Sequence, residues 1–159
     1  MKINISINKQ QLILVSEQGV ELKKYAISTA LKGAGNQKNS NQTPLGKHIV
    51  RAKIGAGAVI NSVFVGRRKT GEIFNSSLAK NNPNRDWILS RILWLSGKEK
   101  GVNRLGNVDT MQRYIYIHGT PDFEPMGIAQ SHGCIRMRNI EIIELFELIE
   151  TGCSVYIEH

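Results

Sequence analysis

Apolar side chains fall at every second position over Lys2–Ile7, where Ile3, Ile5 and Ile7 alternate with Lys2, Asn4 and Ser6. This is the period of a strand with one face against a core and the other in water. Further strands are expected over Gln11–Val15, Leu22–Ser28, Lys47–Ile54, Ser62–Arg67, Asp86–Leu95 and Tyr114–His118, with a closing strand inside Cys153–Ile157. Only one segment has helical spacing. There Ile142, Ile143, Leu145, Phe146, Leu148 and Ile149 are interleaved with Glu141, Glu144, Glu147 and Glu150, and Gly152 is placed to stop the helix. Many short strands and one late helix predict a mostly β fold, a sandwich or barrel-like sheet with one C-terminal helix.

The 159 residues suffice for one sizeable core, and no low-complexity linker or internal repeat divides them, so a single domain over residues 1–159 is expected. A polar stretch around Gly35, with Asn36, Gln37 and Asn39–Gln42, lacks hydrophobic periodicity and reads as a mobile loop; a second loop is expected over residues 75–85. Either could cover a groove. Gly55-Ala56-Gly57 has no third glycine at Ile60 and no strand-turn-helix context, which excludes a dinucleotide loop and leaves a turn.

The candidate chemistry lies in Ser131-His132-Gly133-Cys134 and in His118 at the end of Tyr114-Ile115-Tyr116-Ile117-His118. A cysteine needs a neighbouring base or cation to become the nucleophilic thiolate. Alternation puts Ile115 and Ile117 on one face and Tyr114, Tyr116 and His118 on the other, so the strand delivers His118 at its end with two tyrosines leading to it. Gly119 lets the chain turn there, and the Pro- and Gly-containing segment Thr120–Gln130 loops out and brings Cys134 back. The amide N–H groups of Gly133 and Cys134 are the candidate oxyanion hole. A zinc site of His118, His132 and Cys134 is the competing arrangement, disfavoured by the absence of a Cys-x-x-Cys pair and of an evident general-base glutamate. Cys153 reads as a small buried hydrophobe, and His48 and His159 as solvent-facing residues without a role. Arg138 is either surface charge or a substrate contact.

His118-Gly119-Thr120 together with Ser131-His132-Gly133-Cys134-Ile135-Arg136-Met137 resembles the signature of the YkuD-type L,D-transpeptidases. Thr43-Pro44-Leu45-Gly46-Lys47-His48 is similar to the Thr-Pro-x-Gly turn common in that family. The resemblance implies the same mostly β fold, no cofactor or metal, and attack by the cysteine on the carbonyl that follows the L-centre of diaminopimelate in a peptidoglycan stem peptide. Terminal D-alanine leaves, and water or an amine resolves the thioester. By position it implies Cys134 as nucleophile, His118 as general base with the Gly119 carbonyl on its far ring nitrogen, and His132 in support. Arg136 is then placed for a substrate carboxylate, which its fork can bind through both oxygens, with Ser131, Tyr114 and Tyr116 completing the substrate-binding set. An imidazolium–thiolate pair is expected to keep Cys134 partly ionised near neutral pH. Susceptibility of Cys134 to carbapenem acylation also follows from the resemblance. A binding module with vestigial catalytic residues is the reading of a different class, against which the intact His118, His132, Cys134 and Arg136 set argues.

The net charge of +8 is uneven: residues 139–159 hold five glutamates and no lysine or arginine. A basic remainder attracts an anionic partner. The basic residues are scattered and not interleaved with aromatics, so muropeptides rich in carboxylates suit the charge better than nucleic acid. No apolar stretch of signal-peptide or membrane-spanning length is present, so a cytoplasmic location is expected if Met1 is the natural start. In that compartment water is the expected acceptor, giving an L,D-carboxypeptidase of muropeptide recycling. Transpeptidation, by cross-linking or D-amino acid exchange, is the alternative.

Overall fold

A computed structural model describes residues 1–159. The strands are β1 (Lys2–Ser6), β2 (Gln11–Val15), β3 (Glu21–Ala26), β4 (Gly46–Ile54), β5 (Ser62–Val65), β6 (Arg68–Ile73), β7 (Ile88–Gly97), β8 (Tyr116–Thr120), β9 (Ile135–Arg138) and β10 (Ser154–Glu158). Two α-helices, α1 (Ser76–Asn81) and α2 (Asn139–Leu148), accompany them. No helix is long and apolar enough to cross a membrane.

All ten strands belong to one sheet, in the order β3-β2-β1-β10-β4-β7 with β5 and β6 continuing beyond β7. β7 also pairs with β8, and β8 pairs in parallel with β9. The sheet then closes on itself. Just beyond β3, Ser28 bridges to Arg136 of β9, N–H to carbonyl in both directions at 3.0 and 2.8 Å, and Ala30 bridges to Ser131. The result is the expected barrel-like sheet, with β5 and β6 standing off as a flap. β7 reads Ile-Leu-Ser-Arg-Ile-Leu-Trp-Leu, nearly unbroken in apolar character, because it has strands along both edges and is covered on both faces.

The interior is a cluster of 20 buried side chains. Alternate residues of β1, β2 and β10 supply Ile3, Ile5, Leu12, Leu14, Val155 and Ile157, α2 adds Ile142, Leu145 and Phe146, and its C-cap adds Ile149. Each fully buried aliphatic chain of this kind stabilises the fold by roughly 1.5–3 kcal/mol relative to exposure. Helix α2 ends at Leu148, and Gly152, with φ +92°, forms the turn into β10 after the helix has already stopped.

Several expectations are corrected. β6 and β9 lie outside the predicted strands: β6 exposes nearly all its side chains, and β9 owes its burial to pairing with β8. The segment 75–85 contains α1, whose first turn is capped by the Asn75 side chain accepting from Leu78 N–H at 2.8 Å. The polar stretch near residues 35–42 is not loose. Arg113 donates to the carbonyls of Gly35 and Gln42 and to Ser40 Oγ, and Asn36 donates to the carbonyls of Leu45 and Val102. The Gly55–Gly57 segment is the expected turn after β4.

His48 is buried, not solvent-facing. Its Nδ1–H donates to the Gly46 carbonyl at 3.0 Å, so Nε2 is the acceptor and takes the Thr110 hydroxyl proton at 2.9 Å. Burial pushes its pKa down from 6.5 to about 4. The unfolded chain therefore binds this proton first, and the stability His48 contributes is present above pH 6.5 and lost as pH falls towards 4. The amount is about 3 kcal/mol across that window. Urea unfolding at pH 7, 5 and 4 is expected to show a flatter decline for His48→Gln than for the parent; parallel declines would refute this assignment.

Candidate active site

Strand β8 carries the imidazole. Its five residues are all buried, with β7 on one edge and β9 on the other, and His118 pairs across to Ile92 and Arg136. Gly119 does not turn the chain, as expected, but continues the strand. Its role is close packing: a Cβ there would lie 2.4 Å from Asn139 Oδ1 and 2.5 Å from the Leu89 carbonyl oxygen. Asn139, the first residue of α2, is held in this gap by donating to the Thr120 carbonyl at 2.8 Å and accepting from the Ser90 hydroxyl at 2.7 Å. The Gly119 carbonyl meets His118 Nδ1 at 2.7 Å. A carbonyl can only accept, so the proton of the neutral ring sits on Nδ1 and the Nε2 lone pair remains to take a proton. Burial holds the His118 pKa below the ordinary imidazole value, with the carbonyl hydrogen bond opposing.

The strand begins two residues later than expected. Tyr114 precedes it with φ +56° and is exposed, whereas Tyr116 is buried with Phe64 and Ile92. The two rings still share a side, both against Trp94 at centroid distances of 6.3 and 6.2 Å. Arg67, from the β5–β6 turn, lies over Trp94 and Tyr114 and donates to the Tyr116 hydroxyl at 2.9 Å. Tyr116 is thus a supporting wall with its hydroxyl already engaged, and Tyr114 is the exposed ring.

Cys134 sits immediately before β9, partly exposed, with its side chain packed on the Phe64, Ile92 and Tyr116 cluster. Its sulfur accepts from Tyr116 N–H at 3.3 Å and its thiol faces the Tyr114 carbonyl at 3.4 Å. His118 is not a hydrogen-bond partner of the sulfur. Burial pushes the thiol up to about 12, and the arginines Arg136 and Arg113 offset this only in part. Both shifts favour the neutral thiol and the neutral imidazole over the expected imidazolium–thiolate pair.

The loop around the cysteine corrects two further expectations. Ser131 is buried: its Oγ accepts from Gly133 N–H at 3.2 Å and its hydroxyl donates to the Cys134 carbonyl at 2.5 Å. It is engaged within the loop and shapes it. Gly133 N–H is consequently committed, and of the two candidate oxyanion donors only Cys134 N–H is left without a protein acceptor.

Arg136 is buried and paired with this chain's own carboxylates, Asp86 at 3.2 Å and Glu124 at 3.6 Å. Its fork is occupied rather than open. Asp86 also reaches the exposed His132 ring, 3.5 Å from Nδ1. His132 lines two cavities, one of about 220 Å³ with Lys38, Arg113 and Tyr114, the other of about 250 Å³ with Asp86, Glu124 and Arg136. His118, His132 and Cys134 do not converge as a metal-ligand set. Arg138 reaches the Asp122 carbonyl at 3.5 Å, and Cys153 is half-buried just before β10, packed against the main core. Asp86, Glu124, Arg67 and Arg113 were not anticipated as site residues. Their proximity arises from strand pairing and loop closure, which leave no local mark in the chain.

The family model described as the YkuD L,D-transpeptidase catalytic domain matches residues 1–157. The chain belongs to that family. Among solved structures it is similar to an L,D-transpeptidase from Xylanimonas cellulosilytica DSM 15894, at 16% identity and TM-score 0.55, covering 98% of this chain and 59% of that one. It is similar to the Mycobacterium smegmatis L,D-transpeptidase at 15% identity and TM-score 0.57, covering 99% and 58%. These likenesses bear on fold. A Bacillus subtilis (strain 168) protein, YqjB, provisionally named an L,D-transpeptidase, is 49% identical over 41 residues, which make up 26% of this chain and 23% of that protein. The chain thus spans well under two thirds of the length of each of these relatives.

Proposed function

We propose that this domain is a cysteine acyl-transfer enzyme acting on peptidoglycan stem peptides. The observation that carries the reading is a backbone-anchored His118 imidazole whose Nε2 is free of a proton, on the strand that pairs with the one opened by the partly exposed residue Cys134. In the proposed cycle His118 Nε2 takes the Cys134 proton as the sulfur attacks the carbonyl after the L-centre of diaminopimelate. The C–S bond forms and the carbonyl π pair moves to oxygen beside Cys134 N–H. Collapse breaks the C–N bond, His118 returns the proton to the leaving D-alanine amine, and a thioester remains. Because neutral imidazole is the working base and burial lowers its pKa, the acid limb of the rate profile is expected below pH 6.5.

Water resolving the thioester makes the enzyme an L,D-carboxypeptidase; an amine makes it a transpeptidase. Mass spectrometry of a disaccharide-tetrapeptide incubated with the protein, with and without an added D-amino acid, separates them. Loss of one D-alanine irrespective of the amine is expected. An exchanged or dimeric product would establish transpeptidation instead, and an unchanged tetrapeptide under all conditions would refute acyl transfer.

A further inference from the structure

Gly133 and Cys134 carry four main-chain polar groups, and three are committed within the protein. Gly133 N–H donates to Ser131 Oγ, the Cys134 carbonyl accepts from the Ser131 hydroxyl, and the Gly133 carbonyl accepts from Thr43 Oγ1 at 2.9 Å. The fourth, Cys134 N–H, has no protein partner. A buried or half-buried amide is ordinarily paired, so an unpaired one beside a nucleophile is a donor held ready for an acceptor that arrives later.

Thr43 governs where that donor points. The residue is fully buried in the Thr43-Pro44-Leu45-Gly46 turn. Its Oγ1 accepts from Ala30 N–H at 3.0 Å, which leaves the hydroxyl proton directed to Gly133. Its main chain is fixed as well, with N–H on the Gly33 carbonyl and carbonyl accepting from Gly35 N–H. No peptide bond in the chain is cis, so the Gly133 carbonyl and the Cys134 N–H lie in one plane and point in opposite directions. Anchoring the oxygen inward on Thr43 turns the N–H away from the interior. Gly133 has φ +136°, a backbone state accessible to glycine and strained for other residues, so the plane needs an external anchor to stay in place.

We propose that Thr43 is a positioning residue for catalysis, orienting the Gly133–Cys134 peptide so that Cys134 N–H stabilises the oxyanion formed when the thiol attacks a carbonyl. The inference rests on the acyl-transfer reading above and adds to it a residue from the opposite end of the sequence.

The test compares two reactions of the same sulfur. Iodoacetamide alkylates by displacing iodide and develops no oxyanion. Imipenem acylates: sulfur adds to the β-lactam carbonyl, the π pair moves to oxygen, and the C–N bond then breaks with a proton passing to nitrogen. Thr43→Val keeps the side-chain shape and removes the hydroxyl, and is expected to slow imipenem acylation about 100-fold while leaving the alkylation rate unchanged. Thr43→Ser is expected to restore acylation. Equal loss of both reactions in Thr43→Val would reduce Thr43 to a structural support, and an unslowed acylation would remove the role altogether. A parent protein that alkylates but never acylates would overturn the acyl-transfer reading itself, and the inference with it.

Discussion

Cys134→Ala is expected to fold as the parent does and to lose stem-peptide cleavage by about 10,000-fold or more, the scale on which removal of an acyl-transfer nucleophile acts. The stability side of this expectation follows from the sulfur's surroundings. It accepts one weak hydrogen bond from Tyr116 N–H and lies at the partly exposed edge of the Phe64, Ile92 and Tyr116 cluster, so its loss opens no sealed cavity. A change within about 1 kcal/mol is anticipated. Turnover measured by mass spectrometry alongside thermal unfolding checks both halves. An active Cys134→Ala variant would dismiss the nucleophile assignment, whereas an unfolded one would show that the sulfur is chiefly a packing group.

Gly119→Ala is expected to be the most damaging single methyl group that can be added near the site. The new carbon has nowhere to go, because its nearest neighbours are Asn139 Oδ1 and the main-chain oxygen of Leu89, and the Asn139 amide is held by accepting from Ser90 on β7 and donating to Thr120 on β8. Overpacking against backbone costs roughly 1–3 kcal/mol, here at the upper end, or about 5–10 °C in Tm for a domain of this size. Relief requires β8 to move away from β7 or α2. Relief that instead changes the Gly119 backbone torsions turns its carbonyl away from His118 Nδ1 and releases the ring tautomer that the proposed mechanism needs. Loss of activity exceeding the fraction unfolded, measured below Tm, is the anticipated signature. Parent-like Tm and turnover would contradict the packing account.

The fold was legible where burial is one-sided and local. Ile3, Ile5, Leu12 and Leu14 announce β1 and β2, and the glutamate-striped segment announces α2, because in each the side-chain period reports a face turned inward. It was illegible where burial is imposed by distant partners. β9 is four residues long and reads Ile-Arg-Met-Arg, yet its second residue is buried because Ser28, Asp86 and Glu124 close around it. β6, at the open edge, has no face to bury and therefore no period. At the site, the residue types were readable but not their commitments. Ser131 and Arg136 carry groups suited to a ligand, and the chain itself has taken them. His48 resembles any surface histidine until Gly46 and Thr110 are brought to its two nitrogens.

The parallel pairing of β1 with β10 places Lys2 opposite Ser154 and Ser6 opposite Glu158, and β10 in turn lies between β1 and β4. β1 thus acquires its second neighbour only once β10 is in place. Without β10 the outer edge of β1 in the β1–β2–β3 meander is open, exposed to mispairing with other chains. Closure between such distant segments carries a large loop entropy and places this domain among the slow folders, on the millisecond-to-second scale of high-contact-order β proteins. The imidazole strand and the thiol loop, by contrast, are joined by the direct parallel pairing of β8 with β9, so the site is built from nearer neighbours in the chain than the edge that β1 and β10 close.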